Sequence, residues 1–196
     1  DHPKLELDPV SAHTGELTDL GLLTLGSGGL VAGRLLGVDD TVIETVSLEL
    51  VDEHGRGVAS VERLGRSFRS EVAAAGTYDL VVQAVGALPH RERIEVPTSG
   101  EVRPEVALTP AGVRVVQISV PPNTPAPEVV WVGVLDSYGR PIWRKTQNAN
   151  TGFRFPISVA AGEATVRVST NDDRVAQRTV RFPSADATMD LSLIHI

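Results

Sequence analysis

The sequence predicts an all-β chain of two tandem Greek-key β-sandwich modules preceded by a partial module. Three observations predict it. Strand-like runs alternate with Gly, Pro, Asn and Asp clusters along the whole length; no window sustains a helical period of apolar residues; and the second half repeats the first at a nearly constant offset.

Taken in chain order, residues 1–25 read as the close of an earlier module, because Gly15-Glu16-Leu17 and the strand ending at Leu25 mimic Gly100-Glu101-Val102 and the strand ending at Leu108. Gly26-Ser27-Gly28-Gly29 reads as an inter-module turn. It is no nucleophile elbow and no phosphate cradle, since neither a helix nor a P-loop Lys follows it. Module one then spans 26–109 and module two 110–193, joined at Thr109-Pro110-Ala111-Gly112, a linker too short for free tumbling.

The repeat is clearest in two hairpins, Val46 to Val58 and Val130 to Ile142, which align without a gap (130 − 46 = 84). The same offset pairs Asp52 with Asp136, Gly55 with Gly139 and Arg56 with Arg140. In each turn the Asp can accept backbone hydrogen bonds and the Gly tolerates positive φ. Carried upstream, the offset lays Leu30 to Glu44 on Arg114 to Glu128, with Gln117 where Gly33 stands. Downstream, Ala74-Ala75-Gly76 meets Ala160-Ala161-Gly162 (162 − 76 = 86), so two residues are added between the anchors.

Val46, Leu48 and Leu50 point to one face of their strand while Ser47 and Glu49 point to the other. Tyr78, Leu80 and Val82 alternate likewise, as do Ala164, Val166 and Val168. Two such half-wet sheets bury their apolar faces most economically against each other, which gives a sandwich.

Composition limits the function. With 41% hydrophobic residues the chain can bury a core, yet no apolar run reaches membrane-spanning length. A formal charge of −7, with the basic residues scattered singly, disfavours nucleic acid and anionic bilayers as partners. Cysteine is absent, which removes disulfides, thiolate metal sites and cysteine nucleophiles. His2, His13, His54, His90 and His195 are isolated, and Asp39-Asp40 and Asp172-Asp173 lack the alternating oxygen ligands of a calcium loop. All read as solvated loop residues, so no metal, no cofactor and no catalytic residue is expected.

One constellation departs from its counterpart in the other half. Trp131 and Trp143 stand where module one has Ser47 and Ala59, and Tyr138 lies in the turn between them. A three-residue turn at Ser137-Tyr138-Gly139 would set Gly133 opposite Trp143 and bring both indoles to one outer face, making Trp131, Trp143 and Tyr138 a candidate ligand-binding patch for a sugar or a protein. The bland alternative is packing on the adjacent module or shielding of Gly133.

The order strand, Asp-x-x-Gly turn, strand, Phe68, then Gly76-Thr77-Tyr78-Asp79-Leu80, opened by Gly29-Leu30-Val31-Ala32-Gly33-Arg34-Leu35, resembles the carboxypeptidase regulatory-like family of prealbumin-type sandwiches. Residues 30 to 108 carry the resemblance. It implies a prealbumin-like or immunoglobulin-like fold and an accessory folding, spacing or adhesion role in secreted or surface proteins of bacteria, with neighbouring modules of the same polypeptide as partners. Related pilin modules carry a Lys to Asn or Asp cross-link. Only Lys4 and Lys145 are present here, and no acid stands at the core-facing place of the Tyr78 to Val82 strand, so none is expected.

Leu191 to Ile196 resembles a translated transposon-end adaptor used in sequencing libraries, which would end the natural chain near Asp190. The chain opens at Asp1 and not at a methionine, so its natural start is expected elsewhere. The sequence thus predicts a non-catalytic spacer or adhesion segment of a larger extracytoplasmic protein, with a carbohydrate- or protein-binding module as the alternative.

Overall fold

The computed structural model describes residues 27–119, 125–148, 153–182 and 190–195. The expected remnant at 1–25 lies outside them. The chain runs through β1 (Gly28–Leu36), a one-turn helix α1 (Asp40–Ile43), β2 (Ser47–Val51), β3 (Gly57–Ala59), β4 (Val61–Leu64), β5 (Ser67–Ser70) and β6 (Ala73–Ala74). It continues with β7 (Gly76–Ala84), β8 (Ala87–Val96), β9 (Glu101–Val102) and β10 (Glu105–Ala107). These strands make two sheets, β10-β1-β5-β4 with β6 and β9 also on β1, and β3-β2-β7-β8. The remaining strands are β11 (Arg114–Ser119), β12 (Val129–Leu135), β13 (Pro141–Asn148), β14 (Arg154–Ile157), β15 (Gly162–Thr170), β16 (Val175–Phe182) and β17 (Asp190–His195). They make the sheets β14-β11-β17 and β13-β12-β15-β16.

The alternation in the sequence becomes burial. Leu48 and Leu50 are buried while Ser47 and Glu49 are exposed, and Leu80, Val82 and Ala84 are buried along β7. Val116 and Ile118 of β11 and Phe155 and Ile157 of β14 share one apolar cluster with Val130, Val132, Val134, Ala164, Val166, Val168 and Phe182 of the other sheet. Two sheets meeting through one core are a sandwich, and the protein is all-β.

By packing, the chain divides into two compact units, each discontinuous in sequence. The first takes the described part of Asp1–Leu36 with Leu48–Val81 and Arg91–Val106; the second takes Gly37–Ser47, Val82–His90 and the described parts of Ala107–Ile196. Inside the second unit the Thr109 to Gly112 segment is tied down. Leu88 N–H donates to the Thr109 carbonyl at 2.8 Å, Ala111 N–H to the Gly86 carbonyl at 2.9 Å, and Gly86 N–H to the buried Ser158 Oγ at 2.9 Å.

The two hairpins match bond for bond. Asp52 Oδ1 accepts from His54 N at 2.9 Å and Arg56 N at 2.8 Å; Asp136 Oδ1 accepts from Tyr138 N and Arg140 N at 2.9 Å each. Both arginines donate Nε to the second carboxylate oxygen at 2.8 Å, and Gly55 and Gly139 both sit at φ +77°, where a Cβ would be strained. The closing strands also correspond. β9 lies parallel to β1, with Leu30 opposite Glu101, and β17 lies parallel to β11, with Val115 opposite Asp190.

Three sequence expectations are corrected. The opening strands align one residue later than expected, because Gly33 pairs with Phe68 while Ile118 N–H donates to the carbonyl of Phe153 (118 − 33 = 85; 153 − 68 = 85). Ile118, not Gln117, therefore stands in the place of Gly33, and a one-residue slip exchanges every inward and outward position along the strand. Gly28 and Gly29 are not a turn but the start of β1; a Cβ on Gly28 would lie 2.1 Å from the Ala73 carbonyl oxygen, so close backbone approach demands glycine there. Asp39 is not merely solvated. It caps α1, its Oδ1 accepting from Val42 N at 3.0 Å and Thr41 Oγ1 at 2.7 Å.

Candidate functional site

The aromatic constellation does not assemble as the sequence suggests. The turn from Asp136 to Arg140 carries an extra residue, and the register shifts between Val134 and Leu135, so Val134 faces Trp143 and Gly133 faces Arg144. The β2–β3 pair has the same irregularity, Leu50 facing Ala59 and Val51 facing Gly57. The bulge reverses the face of the returning strand. Trp143 is 4% exposed and belongs to the core, Trp131 is 41% exposed on the outer face, and Tyr138 is 82% exposed at the hairpin tip, with the Arg140 guanidinium 5.1 Å from its ring centre.

What surrounds Trp131 is a different set of residues. Across the sheet its neighbours are Thr146 on β13 and Ser169 on β15, and Ser169 faces Val175 on β16. The adjoining row of the same outer face runs Arg144, Gly133, Arg167, Gln177. Arg144 and Arg167 are exposed, and over Gly133 a Cβ would meet nothing nearer than the Trp143 carbonyl oxygen at 3.8 Å. An open strip of backbone is thus framed by an indole two residues along the same strand and by guanidinium-bearing strands on either side, about 10 Å apart at two inter-strand spacings. The edge strand is held in place at this row, where the Gln83 amide accepts from Arg144 N–H at 3.3 Å and donates to the Arg144 carbonyl at 2.9 Å.

Arg144 and Arg167 are not among the residues that the aromatic departure between the two halves singles out. The repeat held the signal. Ser47 and Glu49 of β2 stand where Trp131 and Gly133 stand, and Val81 of β7 stands where Arg167 stands, so an acid is lost and a base gained on one face.

The displaced ionisation equilibria belong to turns. Backbone donation from Arg140 N–H, with help from its guanidinium and from Tyr138 N–H, holds the Asp136 carboxyl below its ordinary range; Arg56 and His54 do the same for Asp52. Asp172 is lowered to about 2 by the Arg174 guanidinium first and the Thr170 hydroxyl second, in the turn between β15 and β16. His54 N–H serves the Asp52 turn, and its side chain is 67% exposed. Among the described residues no group of three or more His, Asp or Glu side chains is placed to hold a metal. No described helix is long and apolar enough to cross a membrane.

The first unit holds an open groove of about 710 Å³ lined by Gly33, Leu64, Phe68 and Pro104 among others. Charges of both signs rim it, and Arg103 pairs with Glu101 there.

No family model matches the chain, and no curated protein matches it. Among solved structures it is similar to a leucine-rich repeat protein of Bacteroides thetaiotaomicron (16% identity, TM-score 0.33, 87% of this chain and 26% of that one). It is also similar to a DUF3823 family protein of Parabacteroides merdae (16% identity, TM-score 0.33, 81% of this chain and all of that one) and to the major pilin subunit of Bacillus cereus (9% identity, TM-score 0.32, 77% and 54%). The chain spans about a quarter of the length of the first of these.

Proposed function

We propose that the chain is a non-catalytic structural segment, a spacer or adhesion array, of a larger secreted or cell-surface bacterial protein, with modules at 26–109 and 110–193 of the carboxypeptidase regulatory-like kind. The observation that carries this reading is the duplicated Asp-x-x-Gly-Arg turn, whose hydrogen bonds agree between copies to within 0.1 Å. The carboxylates with displaced equilibria are engaged in fixing chain reversals, which is what a load-bearing spacer requires of them.

Stretching the full chain between surface and cantilever tests it. Two unfolding events are expected, each releasing about 250–300 Å of contour for roughly 80 residues at about 3.5 Å each. A single event, or extension without a force peak, refutes the modular spacer.

A second reading, a carbohydrate- or protein-binding module, is favoured by one observation: Trp131 is exposed on a sheet face where the other copy carries Ser47.

A further inference from the structure

We propose that the outer face of the β13-β12-β15-β16 sheet binds an acidic polysaccharide, with the Trp131 indole stacking on a sugar ring and Arg144 and Arg167 receiving carboxylates on either side of Gly133. The inference rests on the binding reading and gives it a ligand class.

Three observations lead there. The first is shape. Gly133 leaves its strand without a side chain next to an exposed indole, so a flat ring can lie on the backbone against Trp131. The second is charge. Arg144 and Arg167 flank Gly133 directly, and Thr146, Ser169, Thr165 and Gln177 supply hydroxyl and amide groups around them. The nearest carboxylate along β15 on this face is Glu163, two rows beyond Arg167 and opposite Arg181. Arg144 and Arg167 make a local basic row on a chain of net charge −7, so the attraction for an anion is confined to this face.

The third is the internal comparison. Core-facing positions keep their character between the copies, Leu48 with Val132, Leu50 with Val134, Leu80 with Val166 and Val82 with Val168. On the outer face the chemistry changes: Ser47 to Trp131, Glu49 to Gly133, Asp79 to Thr165 and Val81 to Arg167. Two acids disappear where an indole and a guanidinium arrive. Arginine suits a planar carboxylate because its fork donates two parallel N–H bonds, and an aromatic ring takes the apolar face of a pyranose.

The test is calorimetric titration of the full chain with polygalacturonate and with the same polymer fully methyl-esterified, which keeps the rings and removes the charge. Binding is expected for the acidic polymer alone, weakening as salt is raised. Arg144→Gln combined with Arg167→Gln is expected to lower affinity at least about tenfold, as are Trp131→Ala and Gly133→Val, the last by filling the strip; unchanged melting temperatures show that each variant is folded. Equal binding of both polymers, lost in Trp131→Ala but kept in the arginine variant, overturns the acidic-ligand inference and leaves the binding reading standing. No binding of either polymer overturns the acidic-polysaccharide inference, and binding indifferent to Trp131 overturns it together with the reading of Trp131 as a binding residue. Self-association abolished by Trp131→Ala puts a second copy on this face and likewise refutes the polysaccharide.

Discussion

Truncating the two tryptophans separately probes the bulged register on which the site geometry depends. Trp143 is 4% exposed inside the core of the second sandwich. A buried Trp hides about 150–250 Å², which at about 25 cal/mol per Å² amounts to about 4–6 kcal/mol of transfer free energy. Alanine keeps part of that area while the cavity adds a penalty, so Trp143→Ala should cost about 3–5 kcal/mol. Set against a total of roughly 5–15 kcal/mol, this lowers the melting temperature by at least about 12 °C in a domain of this size. Trp131, 41% exposed and facing Thr146 and Ser169, loses only cross-strand contacts, about 1 kcal/mol or less. Urea and thermal unfolding followed by far-ultraviolet circular dichroism measure both. Comparable losses for the two variants, or a Trp143→Ala protein as stable as the parent, would refute the register and with it the placing of Arg144 and Arg167 beside Gly133.

Other expectations follow from the turns and glycines. Asp172 is held at about 2 in the folded chain against an ordinary 3.8, so its stabilising contribution is complete above about 3.8 and fades as pH falls through about 2. Thermal melts across that window should therefore steepen their loss in the parent, and Asp172→Asn should flatten it; identical profiles would show the Asp172–Arg174 pair to be inert. Gly33→Ala places a Cβ 2.3 Å from the Pro104 carbonyl oxygen and 2.5 Å from the Phe68 ring and should cost about 1–3 kcal/mol by overpacking, whereas Gly133→Ala meets open space and should not destabilise. Chemical denaturation of the pair checks this, and equal effects would contradict the geometry.

The hairpins were legible because Asp and Gly carry turn geometry in their own side chains, so Asp52 with Gly55 and Asp136 with Gly139 announced both position and register of the reversal. The length of each turn was not legible, since residues 130–135 and 141–148 alternate equally well on either side of a bulge, and the bulge alone decides which face Trp143 joins. Arg114 shows a second limit. It is 2% exposed, donates Nη1 to the Val159 carbonyl at 3.0 Å and lies over Phe182, so a residue that reads as surface charge fills the core of the second sandwich. The hairpin offset of 84, carried upstream, puts the opening strands one residue out of phase with the observed offset of 85.

Glycine within a strand weakens it by roughly 0.5–1 kcal/mol relative to alanine unless backbone must come close. At Gly28 and Gly33 the approach is real, with carbonyl oxygens 2.1 and 2.3 Å from any Cβ, and folding itself demands the residue. Gly133 faces no such crowding, and its counterpart in the other copy, Glu49, occupies an equivalent strand position on a sandwich that folds to the same plan. Packing therefore gives no reason for glycine at 133. A residue that costs strand stability, sits on an open face between two arginines and adjoins the exposed tryptophan is what the proposed ligand site requires, so the binding proposal rests on the outer face of the β13-β12-β15-β16 sheet rather than on its turns or core.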